Sequence, residues 1–286
     1  MPLQPEGLIG MRSAGGSPLP RSLAVITGAS SGIGMAFARK LARSHNLLLV
    51  ARRENRLNEL AAQITEDSGA VVTVLRADLT NEEDLGIVAD RIAAENNLDL
   101  LVNNAGFGTM GLFWEASLTG QEQMHRLHVM ATVRLNHVAL GKMVRSNSGG
   151  IINVASVSAF FRVSGNASYA ATKNWMTSFT EGLYLELKSA HSAVKVQALC
   201  PGFTYSEFHD VMHVDRESLA PSAFWLRAEH VVDESLRALR QGKLFVIPGW
   251  RYKAIVSLIS KLPTPLRLSL EKAGARKRIS KESSQE

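Results

Sequence analysis

Seven short, mostly apolar runs recur along the chain: Leu23–Ile26, Leu47–Val50, Val71–Leu75, Leu98–Val102, Gly150–Val154, Val194–Leu199 and Leu244–Ile247. Strands that are apolar at successive positions must be covered on both faces, which is the condition of a parallel sheet. The stretches between them carry helical periodicity. Ile33, Phe37 and Leu41 recur every four residues, and Leu57, Leu60, Ala61 and Ile64 mark a second apolar face. A third helix is expected over Thr80–Asn96, with Thr80 as N-cap and Glu83 at the capping-box spacing. Long helices are expected over Thr119–Arg145 and Ser168–Lys188, with a loop and helices between Thr204 and Leu239. This alternation predicts an α/β fold: a doubly wound (Rossmann) parallel seven-stranded sheet with helices on both faces.

The chain of 286 residues is long enough for one such domain. The expected organisation is a Pro- and Gly-rich flexible extension over 1–20, one Rossmann-fold domain over 21–250, and a basic amphipathic helical tail over 251–286. Pro263 and Pro265 divide that tail into two short helices. No apolar run is long enough to span a bilayer. The first residues lack the basic start and apolar stretch of a secretory signal. Cys200 is the single cysteine, so no intramolecular disulfide can form and a cytoplasmic location is expected. The net charge of +6 suggests an anionic partner, but Arg251, Lys253, Lys261, Arg267, Lys272, Arg276, Lys277, Arg278 and Lys281 all follow residue 250. No nucleic-acid-binding signature accompanies them, so no nucleic-acid partner is expected. The tail suits packing or an oligomer contact first, and peripheral membrane contact second. His125 and His128 lack a Cys or Asp cluster around them, and no metal is expected.

Between the first strand and first helix lies Thr27-Gly28-Ala29-Ser30-Ser31-Gly32-Ile33-Gly34. Gly28 allows a tight turn, Gly32 lets backbone approach a diphosphate, and Gly34 permits close helix–strand packing. The free N–H groups at the helix start, with Ser30, Ser31 and Ile33, suit an anion. After the second strand an NAD site carries an acidic residue, whereas here Arg52 and Arg53 stand. Guanidinium groups bind a ribose 2′-phosphate, so NADP(H) is favoured over NAD.

These residues, together with Asp78, Asn103-Asn104-Ala105-Gly106, Ser156, Tyr169-Ala170-Ala171-Thr172-Lys173 and Pro201-Gly202, resemble the short-chain dehydrogenase/reductase superfamily in order and spacing. The resemblance implies that Asp78 contacts the adenine and that Asn103, Asn104, Ala105 and Gly106 line the cofactor and steady the central sheet. It further implies that Pro201, Gly202 and Thr204 reach the nicotinamide end and that Lys173 holds the ribose. A homodimer or homotetramer is expected on the same ground. Tyr169 and Lys173, four apart on a helix, share one face, and the ammonium is expected to lower the phenol's pKa. Ser156 would hold a carbonyl oxygen against Tyr169, which supplies the proton as hydride arrives. Where relatives have an asparagine that supports a proton relay, this chain has His128, which can take over that role. Phe160, Phe161, Val163, Phe203, Tyr205, Phe208 and Met212 suggest an apolar carbonyl or alcohol substrate: ketoacyl, steroid-like or aromatic. The other reading is a non-catalytic NADP(H)-sensing protein on the same fold.

Overall fold

The computed structural model describes residues 21–109, 111–206 and 220–269. Phe208, Met212, the extension over 1–20 and the tail beyond 269 lie outside these residues. Seven strands form one parallel sheet: β1 Leu23–Thr27, β2 Asn46–Ala51, β3 Val72–Arg76, β4 Leu98–Asn103, β5 Gly150–Val154, β6 Lys195–Leu199 and β7 Phe245–Val246. Their order is β3-β2-β1-β4-β5-β6-β7. Successive residues of each central strand feed opposite cores. Ala24 and Ile26 of β1 face a layer built by α1 (Gly32–Leu41), α2 (Glu54–Ser68) and α7 (Ala228–Arg240). Leu23 and Val25 face a layer with α3 (Glu82–Ala94), α5 (Thr132–Ser146) and α6 (Ala167–Ser189). The expected doubly wound sheet is therefore present, and the apolar runs are continuous because both faces are covered.

Two local features differ from the sequence reading. The N-cap of α3 is Asn81, whose side chain accepts from Glu83 N at 2.8 Å and Asp84 N at 3.1 Å. Thr80 instead donates its hydroxyl to Asp78 Oδ1 at 2.8 Å. The long helix expected over Thr119–Arg145 is interrupted: α4 (Leu118–His125) passes into a π-helical turn, Arg126–Ala131, before α5 begins. The extra residue widens that turn and carries His128 into the interior, fully buried. After β7 the chain forms α8, Trp250–Ile259, and is helical again over 264–269. Among the described residues no helix is long and apolar enough to cross a membrane.

Candidate active site

The strand order reverses between β1 and β4, and a crevice opens at their carboxyl ends. After Thr27 the chain turns at Gly28 with φ +65°, where a Cβ would lie 2.8 Å from Ala105 Cα. The turn is tied to the end of β4. Thr27 Oγ1 accepts from the backbone N of Asn104 and Ala105, each at 3.0 Å, and Asn104 Nδ2 donates to the carbonyls of Thr27 (3.0 Å) and Gly28 (3.2 Å). A Cβ at Gly34 would be driven into the Gly28 carbonyl, so that glycine sits beneath the turn and does not line the crevice. The first turn of α1 carries no acidic side chain, leaving its N–H groups free to meet an anion.

Arg53 reaches back over this turn. Its Nε donates to Ser30 Oγ at 3.2 Å, and its Nη2 donates to Ser30 Oγ and Ser31 Oγ, each at 3.0 Å. Arg52 is two-thirds exposed and lies 3.9 Å from Asp78 Oδ2. Asp78 Oδ1 is engaged with Thr80, accepting from its N at 3.0 Å.

Ser156 follows β5 and caps a short 3-10 turn, its Oγ accepting from Ser158 N at 3.1 Å. Tyr169 and Lys173 project from the first turns of α6. The Lys173 ammonium is buried, donates to Val154 O at 2.9 Å, and lies 5.7 Å from the centroid of the Tyr169 ring. Burial pushes the Tyr169 phenol up to about 12, against the pull of its hydrogen bond with Ser156. Burial likewise pushes the Lys173 ammonium down to about 8, opposed by neighbouring Cys200. The ammonium was expected to make the phenol more acidic. Desolvation of both groups outweighs that effect, and the phenol is a protonated group at neutral pH.

His128 stands behind this trio. Thr172 Oγ1 lies 2.8 Å from Tyr169 O and 2.9 Å from His128 Nδ1; donating to the carbonyl, the hydroxyl accepts from Nδ1. Nε2 is then the unprotonated nitrogen, and it is buried without a hydrogen-bond partner. Burial, and then the charge of Lys173, hold this imidazole well below its usual pKa, so it is neutral. A Cβ placed on Gly106 would lie 2.8 Å from Nε2 and 3.7 Å from Lys173 Nζ. The imidazole Nε2 and the ammonium thus both pack close to Gly106.

One cavity of about 580 Å³ joins these parts. Gly28, Ser30, Ser31, Gly32, Ile33, Arg52, Arg53 and Asp78 line one end, and Asn104, Ala105 and Gly106 the middle. Ser156, Tyr169, Lys173, Pro201, Gly202 and Thr204 line the other end. Of the sequence-expected substrate wall, Phe161, Val163 and Phe203 line it. Phe160 packs into the interior, and Tyr205 is nearly half exposed against Trp225. Asn103 is not in the lining; its Nδ2 donates to Asn153 Oδ1 at 2.8 Å within the sheet. Sequence reasoning missed Tyr252 of α8. Its ring occupies the space where a Gly202 Cβ would be, and its hydroxyl accepts from Phe203 N (2.9 Å) and donates to Phe224 O (2.8 Å). Nothing local in the sequence links residues so far apart. The glycine cradle and anion-facing helix start, joined in one cavity to the Tyr169 pair, fit a dinucleotide. Among the described residues no group of three or more His, Cys, Asp or Glu is placed to hold a metal ion.

The chain matches the family model described as short chain dehydrogenase over residues 22–216. An uncharacterized oxidoreductase of Staphylococcus saprophyticus is 34% identical over 186 residues, covering 64% of this chain and 79% of that protein. Among solved structures, a short-chain dehydrogenase from Sphingobium yanoikuyae in complex with NADPH superposes with a TM-score of 0.76 at 34% identity, covering 86% of this chain and 97% of the other. A bulky-bulky ketone specific alcohol dehydrogenase from Comamonas testosteroni gives a TM-score of 0.71 at 30% identity, covering 85% and 95%.

Proposed function

The chain belongs to the short-chain dehydrogenase family and is an oxidoreductase of that type, and from that premise we propose that it is an NADP(H)-dependent carbonyl reductase or alcohol dehydrogenase acting on bulky apolar substrates. The observation that carries this reading is the convergence, in one cavity, of the glycine turn, Arg53, and the Ser156, Tyr169 and Lys173 side chains. Cofactor choice is read from Arg53, whose guanidinium overlies Ser30 and Ser31 at the glycine turn. The Sphingobium relative was solved with NADPH, which agrees with this choice.

A bound nicotinamide dinucleotide supplies the hydride in reduction and accepts it in oxidation. Ser156 and Tyr169 hydrogen-bond the carbonyl oxygen, and Tyr169, protonated at neutral pH, gives its proton to that oxygen as negative charge develops there. Lys173, charged below about pH 8, then stabilises the phenolate. His128 Nε2, an acceptor beside that ammonium at Gly106, takes part in returning protons to the pair. The substrate end is apolar: Val157, Phe161, Val163, Phe203 and Tyr252 bound it. This supports a ketone with large apolar substituents; the Comamonas protein is named as specific for bulky-bulky ketones. Exposed Leu118, Met130, Val133 and Leu185 on the α4–α6 side suit burial against a second copy, in keeping with a homodimer or homotetramer.

The test is NADPH oxidation across a panel of bulky aromatic, steroid-like and ketoacyl carbonyls. Turnover of bulky apolar ketones, with small hydrophilic ones slow, supports the reading. Tight NADPH binding with no turnover across the panel favours a sensor.

A further inference from the structure

We propose that α8 docks the protein on an anionic membrane surface. The inner face of this helix is committed: Tyr252 and Val256 are buried against the body. On the opposite face Trp250, Ala254 and Leu258 recur every four residues, and all three are exposed, Trp250 at 70%. An indole and a leucine held in water on one stripe are costly unless something covers them. Basic groups flank the stripe. Arg251 lies on one side, its guanidinium carbon 4.8 Å from the Trp250 ring centroid, and Lys253 lies on the other, paired with Glu234 at 2.8 Å. The pattern continues past the helix, where Lys261, Leu266 and Leu268 are also exposed.

Charge selects the occupant. Over the described residues 250–269 the sequence holds Arg251, Lys253, Lys261 and Arg267 and no Asp or Glu. Everything before Trp250 is electrically balanced. A second copy would bring the same excess to the contact and be repelled, whereas an anionic lipid surface is complementary to it. An apolar stripe with an interfacial tryptophan and basic flanks matches a helix lying in the headgroup plane. The contact is peripheral, since no described helix is able to span a bilayer.

The experiment is flotation of the full chain, without substrate or cofactor, with vesicles of equal parts phosphatidylcholine and phosphatidylglycerol, and with pure phosphatidylcholine vesicles. Solution mass is measured by light scattering in parallel. Because no turnover is read, the result is independent of the proposed reaction. The expected result is association with anionic vesicles only, lost in high salt. Trp250→Ser with Leu258→Ser, both on the exposed face, lowers the bound fraction by about tenfold or more, and Lys261→Glu lowers it less. The solution mass stays that of the wild type. Failure to float with anionic vesicles overturns the proposal, as does binding that ignores the double substitution. A solution mass that falls with it also overturns the proposal, for the stripe then belongs to a contact between copies.

Discussion

Replacing Arg53 with Ala separates the two nicotinamide cofactors. The guanidinium is held over the phosphate turn by three donor contacts to Ser30 and Ser31, at 3.0–3.2 Å. It is thus already oriented where a ribose 2′-phosphate would meet it, and little side-chain freedom remains to be lost on binding. A charge-assisted hydrogen bond to a phosphate contributes about 1.5–3 kcal/mol net. The site is partly open to solvent, so a total of about 2–3 kcal/mol is expected, equivalent to roughly thirty- to hundredfold in Kd at 1.4 kcal/mol per tenfold. Kd for NADPH and for NADH is measured by fluorescence titration in wild type and Arg53→Ala, at low and moderate salt. NADPH weakens by that factor while NADH, lacking the phosphate, changes by less than about threefold. Arg52→Ala, at a mostly exposed position, has a smaller effect. Equal weakening of both cofactors refutes the reasoning, because Arg53 then only supports the loop.

Three further outcomes follow from the site. Burial lowers Lys173 to about 8, so the folded protein loses that proton at a pH where an unfolded lysine keeps it. kcat/KM for carbonyl reduction therefore falls as pH rises through about 8, whereas this group's contribution to stability improves from about pH 8 to 10.5; a reduction profile flat from pH 7 to 10 contradicts the assignment. Tyr252→Phe leaves Phe203 N and Phe224 O without their partner, costing about 1–3 kcal/mol in urea unfolding and raising KM for bulky ketones more than it lowers kcat. An unchanged KM would show that the clamp does not shape the substrate end. His128→Leu removes the Nε2 acceptor and lowers kcat by about tenfold, while NADPH Kd is unchanged and His128→Asn recovers part of the rate. A His128→Leu enzyme with full kcat and an unaltered pH profile leaves the imidazole a packing residue.

The sheet was legible because its central strands are apolar at successive positions, and the glycine turn because a strand, three glycines and a helix face follow in order. What was hidden depends on competition between neighbours or on distant contacts. Thr80 and Asn81 both suit an N-cap, and Asp78 decides between them by taking the Thr80 hydroxyl. The π-helical turn changes the period by one residue within a long helical stretch, too little to register in an apolar pattern, yet it is what turns His128 inward. Tyr252 is tied to Phe203 and Phe224 by contacts that no local spacing encodes. Helical spacing reports the nearness of an ammonium to Tyr169 but not the loss of water around both groups, which sets the direction of its shift.

The central claim is that Tyr169 delivers the proton. The most direct measurement is single-turnover carbonyl reduction by Tyr169→Phe, with NADPH binding determined on the same preparation. The account predicts an NADPH Kd within about threefold of wild type and a chemical step slower by about 10²–10⁴. A Tyr169→Phe protein that reduces the ketone at the wild-type rate would contradict it.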